Sequence, residues 1–174
     1  VPSFYDVDYH PDGTIKRFAP NNPNAKERIT KELVMDFNQV DYIDKPLVPY
    51  IKVTQDRVVL EIMRGCIRGC RFCQAGTIYR PMREKDLDSL KRSAVKLLTS
   101  TGHEEISLSS LSSSDYRQLE GLIRFLIDEF NGKGINISLP SLRIDAFSLD
   151  VMKKVQDVKK SSLTFAPEAG SQRL

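Results

Sequence analysis

The sequence predicts an α/β domain built on a parallel sheet, and three observations carry that prediction. From residue 57 onward, short aliphatic runs alternate with segments of helical periodicity, reading β-α-β-α-β-α-β over 57–174. The helical segments repeat their apolar residues at i, i+3, i+4 and i+7, which buries one face against a sheet. The length of 174 residues, 40% hydrophobic and 28% charged, suits one domain with a real core and is short for two. Strands joined through helices run parallel, either doubly wound or curled into a barrel.

The elements follow in order. Residues 1–24 read as a β-hairpin lead-in: Ser3 to His10 mixes aromatics and acids, and Pro11-Asp12-Gly13 is a turn signal before Thr14 to Phe18. Pro20 to Asn24 is a breaker. Residues 25–56 read as a linker, with helical character over Ala25–Asn38, Pro46 and Pro49 bounding an extended piece, and an opening strand over Ile51–Thr54. Residues 57–174 form the main domain. Its first strand is Arg57–Met63, where Val58-Val59-Leu60 and Ile62 suit burial. Glu84–Ser100 is a helix with Leu87, Leu90, Ala94, Leu97 and Leu98 on one face and Gly102 as its stop. Ile106–Leu111 is the second strand. Leu119, Leu122, Ile123, Leu126, Ile127 and Phe130 define a second helix, entered through Ser114-Asp115 and closed near Gly132. Ile135–Leu139 is the third strand, Ser148–Val158 the third helix with Leu149, Met152 and Val155 inward, and Ser162–Ala166 the fourth strand.

Composition removes several function classes. No apolar run approaches the roughly 20 residues of a membrane helix, and no basic-then-apolar leader opens the chain. Three cysteines cannot form a disulfide framework without a remainder. The net charge of +3 is too mild to indicate nucleic acid by itself. No Ser-His-Asp set, P-loop or dinucleotide fingerprint is present. A soluble, cytoplasmic domain with no membrane association is expected. Because the chain begins at Val1 and stops at Leu174 directly after Pro167-Glu168-Ala169-Gly170-Ser171, it reads as a piece of a longer polypeptide.

All three cysteines fall in one short window, Cys66-Ile-Arg-Gly-Cys70-Arg-Phe-Cys73, just after a strand. A scattered trio would read as small buried hydrophobes. Spacings of three and two intervening residues instead let three thiolates meet one centre, with Gly65 and Gly69 allowing the backbone to wrap closely. Structural zinc normally takes four ligands, and His10 and His103 lie far away in unrelated contexts. A cubane iron–sulfur cluster on three cysteines leaves one iron open to an exogenous ligand, which favours a cluster over zinc.

The C-x3-C-x-aromatic-C pattern, with Phe72 before the third cysteine, resembles the signature of the radical S-adenosylmethionine (radical SAM) enzymes. The wider stretch Arg64 to Gly76, and the later run Ser162 to Gly170, resemble the members that carry an N-terminal cobalamin-binding-type domain. The resemblance covers about residues 40–174. It implies a partial (β/α) barrel with four of its six strands present. It implies a [4Fe–4S] cluster on Cys66, Cys70 and Cys73, and S-adenosylmethionine bound at the open iron and cleaved to a 5′-deoxyadenosyl radical. It also implies an electron donor such as flavodoxin or ferredoxin, and cobalamin in an upstream domain, with no substrate identified.

Ligands of parallel α/β folds sit at the C-terminal ends of the strands, so the residues following each strand are the cofactor candidates. After the second strand comes Ser109-Ser110-Leu111-Ser112-Ser113, where many family members place a Gly-Gly-Glu type segment. Ser110 and Ser112 are the candidates to substitute for it, while Ser113 and Ser114 read better as a turn and helix cap. After the third strand, Arg143 either pairs with the cofactor carboxylate or pairs on the surface with Asp145 or Asp150. After the fourth, Glu168 in Pro-Glu-Ala-Gly resembles the family acid that holds ribose or amino groups, the alternative being a helix-start acid. Phe72 is carried over as a further cofactor-binding residue.

Arg64, Arg68, Arg71, Arg80 and Arg83 surround the cysteines with no acid between Arg64 and Arg83. They would offset a negative cluster, or present a docking face to RNA or an electron-donating flavoprotein. Tyr79 reads as packed, Met63 and Met152 as core fillers, and neither histidine is assigned a role. Two other readings stand beside the radical SAM core: an RNA-modifying methylthiotransferase-like enzyme, and a non-catalytic iron–sulfur or zinc-binding module.

Overall fold

The computed structural model describes residues 2–143, 153, 155–156 and 165–171. The chain divides into two compact units, Val1–Val34 and Met35–Leu174.

The first unit is the expected hairpin. Strands β1 (Tyr5–Tyr9) and β2 (Ile15–Pro20) pair antiparallel, with Val7 opposite Phe18. The turn is held by local chemistry. Gly13 takes φ +83°, and the Asp12 carboxylate accepts from the Thr14 backbone N–H at 3.0 Å and its hydroxyl at 2.7 Å. Tyr5 stacks on Phe18 with ring centroids 4.8 Å apart. No α-helix forms over Ala25–Asn38. The segment offers no continuous apolar stripe to bury, and only a 3-10 turn, Phe37–Gln39, appears there.

The second unit is α/β, as its alternating pattern requires. β3 (Val58–Glu61), β6 (Glu105–Ser109) and β7 (Asn136–Ser138) form a parallel sheet in the order β3-β6-β7. Ile106, Ser107 and Leu108 of the central strand are all buried, as expected of a parallel strand covered on both faces. α2 (Leu87–Thr101) follows β3, and α3 (Leu119–Glu129) joins β6 to β7. The two helices bury Leu90, Ala94, Leu97 and Leu98, and Leu119, Leu122, Ile123 and Leu126. The Asp86 side chain caps α2 by accepting from the Ser89 N–H, and Gly102 ends it at φ +71°.

Two short pairs complete the unit. β4 (Met63–Arg64) and β5 (Arg83–Glu84) pair antiparallel around a long loop that contains the short helix α1 (Gln74–Ile78). β8 (Leu142–Arg143) and β9 (Phe165–Ala166) pair parallel. The described strands therefore form separate small sheets rather than one continuous curved sheet.

Several local expectations change. Ile51–Thr54 is not a strand: it pairs with nothing in the described residues, follows two prolines, and leaves Ile51 75% exposed. α3 begins at Leu119 rather than at Ser114-Asp115, which lie in a separate 3-10 turn, Ser113–Asp115. The third helix falls mostly outside the described residues, as do Leu149 and Met152, although Val155 is helical and buried. The fourth strand is described only at Phe165–Ala166.

Candidate functional site

The cysteines lie on the loop that leaves β4 and returns at β5. Met63 anchors its start in the core, wholly buried. Two residues on, Gly65 turns at φ +91°, and a Cβ there would lie 2.7 Å from the Tyr79 carbonyl oxygen, 2.9 Å from Met82 Cα and 3.0 Å from the Pro81 carbonyl oxygen. The returning segment is thus packed directly on the Gly65 backbone, and only glycine permits both the angle and the approach. Gly69 does not share this role, because a Cβ there would meet nothing.

Cys66, Cys70 and Cys73 are all free thiols and all half-buried. Two of the sulfurs are held by the backbone. Cys66 Sγ accepts from the Arg68 N–H and Cys73 Sγ from the Gly76 N–H, both at 3.4 Å, so Cys73 caps α1. The Cys73 N–H donates to the Cys70 carbonyl at 3.1 Å, which fixes the spacing between those two. Among the described residues, no three His, Cys, Asp or Glu side chains converge to hold a single metal ion. A cubane takes each thiolate on a different iron. The donor set fits such a group: three reduced thiols on one loop, two with backbone donors, on a glycine-tightened base.

Beside this loop a cavity of about 370 Å³ opens at the C-terminal ends of β3 and β6, lined by Glu61, Arg64, Gly65, Tyr79, Ser109 and Ser110 among others. Arg64 grips Glu61 with two hydrogen bonds, at 2.8 and 2.6 Å, which hold its guanidinium charged.

The other predicted residues are placed as follows. Ser110 reaches the cavity and hydrogen-bonds Ser113 Oγ at 3.0 Å. Ser112 is 2% exposed, and its hydroxyl donates to Asp115 Oδ2 at 2.8 Å, so that group is engaged within the protein. Ser113 is a structural tie, its hydroxyl shared between the carbonyls of Leu108 and Pro140 at 3.0 and 2.8 Å. Phe72 is 74% exposed. Arg143 and Glu168 come together, Nη1 to Oε1 at 3.4 Å, because β8 and β9 lie side by side. Asp145 and Asp150, the other partners considered for Arg143, lie outside the described residues.

The one-sided arginine charge of the sequence is largely answered in space. Arg64 has Glu61, Arg83 donates through Nε to the Pro81 carbonyl at 3.1 Å, and Arg68 makes two bonds to Asp115. Arg71 and Arg80 are exposed. Sequence reasoning missed Glu61, Asp115 and Lys85. Lys85 is 3% exposed, donates to the Val40 carbonyl, and faces the rings of Phe37 and Tyr42 at 5.2 and 4.7 Å. Burial pushes its ammonium below the ordinary lysine value, against the pull of Asp41, Glu61 and Asp86. Only Glu61 left a signal, as the acid ending a buried strand.

Residues 60–174 match the Radical SAM superfamily, and the chain belongs to it. Two curated relatives come from Methanocaldococcus jannaschii. One, Uncharacterized protein MJ0966, is 41% identical over 116 residues, covering 67% of this chain and 24% of that protein. The other, Putative methylthiotransferase MJ0865, is 25% identical over 125 residues, covering 67% of this chain and 27% of that protein. The chain thus spans about a quarter of the length of either relative. No helix among the described residues is long and apolar enough to cross a membrane.

Proposed function

We propose that this chain is the cluster- and cofactor-holding part of a radical SAM enzyme, with Cys66, Cys70 and Cys73 as the ligands of a [4Fe–4S] cluster and S-adenosylmethionine bound beside them. The observation that supports it most is the placement of three free thiols on one loop next to the cavity at the ends of β3 and β6. When bound, the cluster supplies the electron and the cofactor the sulfonium bond whose cleavage gives methionine and a 5′-deoxyadenosyl radical.

The chain's own residues do the holding. The three thiolates leave one coordination position for the cofactor. Backbone N–H groups of Arg68 and Gly76 temper the charge on two of the sulfurs. Ser110 and the Glu61–Arg64 pair offer donors and acceptors in the cavity. Arg143 takes a carboxylate and Glu168 a ribose or amino group, while the exposed Phe72 ring packs against the cofactor and Ser112 supports the segment from behind. The strands at 58–61, 105–109, 136–138 and 165–166 serve as four of the six of a partial barrel.

An electron donor such as flavodoxin or ferredoxin docks near the exposed Arg71 and Arg80. Cobalamin in an upstream domain, and a cytoplasmic setting, belong to the same reading through the resemblance of residues 64–76. A second reading, a methylthiotransferase-like enzyme acting on RNA, is favoured by the 25% identical relative of that name. The three cysteines of this chain supply one cluster and no second one.

Anaerobic reconstitution with iron and sulfide tests the proposal. About four irons per chain and 5′-deoxyadenosine upon adding dithionite and S-adenosylmethionine are expected. Alanine at any of Cys66, Cys70 or Cys73 should remove both. Stoichiometric zinc without deoxyadenosine would instead establish a non-catalytic zinc module.

A further inference from the structure

Arg68 stands inside the cysteine window, between Cys66 and Cys70, yet its side chain leaves the loop. Its Nη2 donates to Asp115 Oδ1 at 2.6 Å and its Nε to Asp115 Oδ2 at 3.1 Å, a two-point contact between residues far apart in sequence. The Asp115 side chain is 5% exposed and that of Arg68 34%. A carboxylate buried to that degree is stable only when paired and hydrogen-bonded, and Asp115 is both. Its Oδ2 also accepts from the Ser112 hydroxyl at 2.8 Å. Arg68, the Ser112 hydroxyl and the nearby Arg143 together hold its carboxyl below the usual range, against the opposing effect of burial.

Asp115 is itself fixed. It closes a 3-10 turn in which its N–H donates to the Ser112 carbonyl at 3.0 Å. The Ser113 N–H of that turn donates to the Ser141 carbonyl at 3.2 Å, and Ser114 Oγ accepts from the Arg143 N–H at 3.3 Å. The turn after β6 is therefore tied to the segment entering β8, and Arg68 ties the cysteine loop to that turn. Other fixings of the loop include Gly65 at its base, α1 through Cys73, and the Cys73 N–H on the Cys70 carbonyl.

We propose that Asp115 is a positioning residue for the cysteine loop, acting through Arg68 to hold the Cys66–Cys70 portion in its ligating arrangement before any cluster arrives. This rests on the proposed assignment of the three cysteines as ligands. It adds a residue outside the loop on which their preorganisation depends. The division of labour is specific: Cys66 and Cys70 flank Arg68 and depend most on the pair, whereas Cys73, although its N–H reaches the Cys70 carbonyl, is held chiefly by α1.

Site-resolved alkylation of the full chain, without cluster and under reducing conditions, tests this directly. Asp115→Ala, Asp115→Asn, Arg68→Ala and the double variant are compared, with each cysteine's iodoacetamide rate read by mass spectrometry. Loss of the pair raises the rate at Cys66 and Cys70 by about tenfold as the loop opens, and leaves Cys73 within about twofold. The double variant matches the single ones, since each removes the same contact. Asp115→Asn keeps shape and loses charge, so it shows whether the charged pair is needed, and circular dichroism shows that each variant is folded. Equal rates at all three cysteines in variants and wild type, or a uniform rise that includes Cys73, would overturn the proposal. The measurement needs no bound iron. If the wild type fails to take a cluster, the ligand reading falls while the alkylation pattern still decides whether Asp115 holds the loop.

Discussion

Arg143 and Glu168 form an ion pair, Nη1 to Oε1 at 3.4 Å, across the parallel strands β8 and β9. The Arg143 side chain is half-buried and Glu168 is the more exposed partner, so the pair lies at the protein surface beside the strand ends. In the proposed function each takes one end of the cofactor, and their pairing would keep both charges compensated until that cofactor displaced the contact. Arg143→Met and Glu168→Gln should each weaken S-adenosylmethionine binding by about tenfold or more, the effect of losing one charge-assisted hydrogen bond. Calorimetric titration of the reconstituted protein measures it. Unchanged affinity in both would make the pair purely structural.

Glu168 also takes φ +66°, a left-handed conformation unusual for a residue with a side chain. Strain of that kind is retained where a side chain is needed. Glu168→Gly should therefore raise stability by up to ~1 kcal/mol while lowering affinity for S-adenosylmethionine. Thermal unfolding and binding, read on the same variant, would move in opposite directions.

At Gly65 the backbone angle and the three close backbone atoms act together. Gly65→Ala should cost about 3 kcal/mol, from left-handed strain plus displacement of the 79–82 segment, and it should abolish cluster loading. Gly69→Ala, where a Cβ meets nothing, is the matched control and should load normally.

Tyr116 is 3% exposed and donates its hydroxyl to the Lys85 carbonyl at 2.9 Å. Burial pushes its phenol up from 10.0 to about 12, with Glu84 and Asp86 acting in the same direction. The unfolded phenol ionises first, so this contribution is whole below pH 10.0 and is lost as pH rises toward about 12. The loss runs at about 1.4 kcal/mol per pH unit within that window. Urea unfolding across it should show Tyr116→Phe losing stability less steeply with pH than the wild type, by about that amount.

Phe37 is 2% exposed, with Lys85 and Arg64 approaching its ring at 5.2 and 5.0 Å. It clips the segment ahead of the family's matched region onto the strands that carry the cysteine loop. Phe37→Ala should destabilise by about 3 kcal/mol and release residues 35–44 to limited proteolysis.

Much of this was legible in the sequence, and the reason is locality. The cysteine window, the caps Asp86 and Gly102, and the apolar stripes of α2 and α3 are each set by residues within a few positions of one another. The hairpin turn at Pro11-Asp12-Gly13 is of the same kind. Ile51–Thr54 misled because a strand exists only when a partner accepts its hydrogen bonds, and none of the described strands does so. The arginine cluster misled similarly. Its charge looked unbalanced because the acids that answer it, Glu61 and Asp115, lie outside the window.

The sequence by itself determined the class of domain: alternating strands and helices, and three cysteines gathered in one short window. The tertiary structure alone decided what holds those thiols. Gly65 is indispensable because distant backbone packs on it, and Arg68 is anchored because the fold delivers Asp115. Arg143 meets Glu168 because two strands lie parallel. Periodicity and spacing report short-range geometry, whereas a buried charge finds its partner only once the chain has folded.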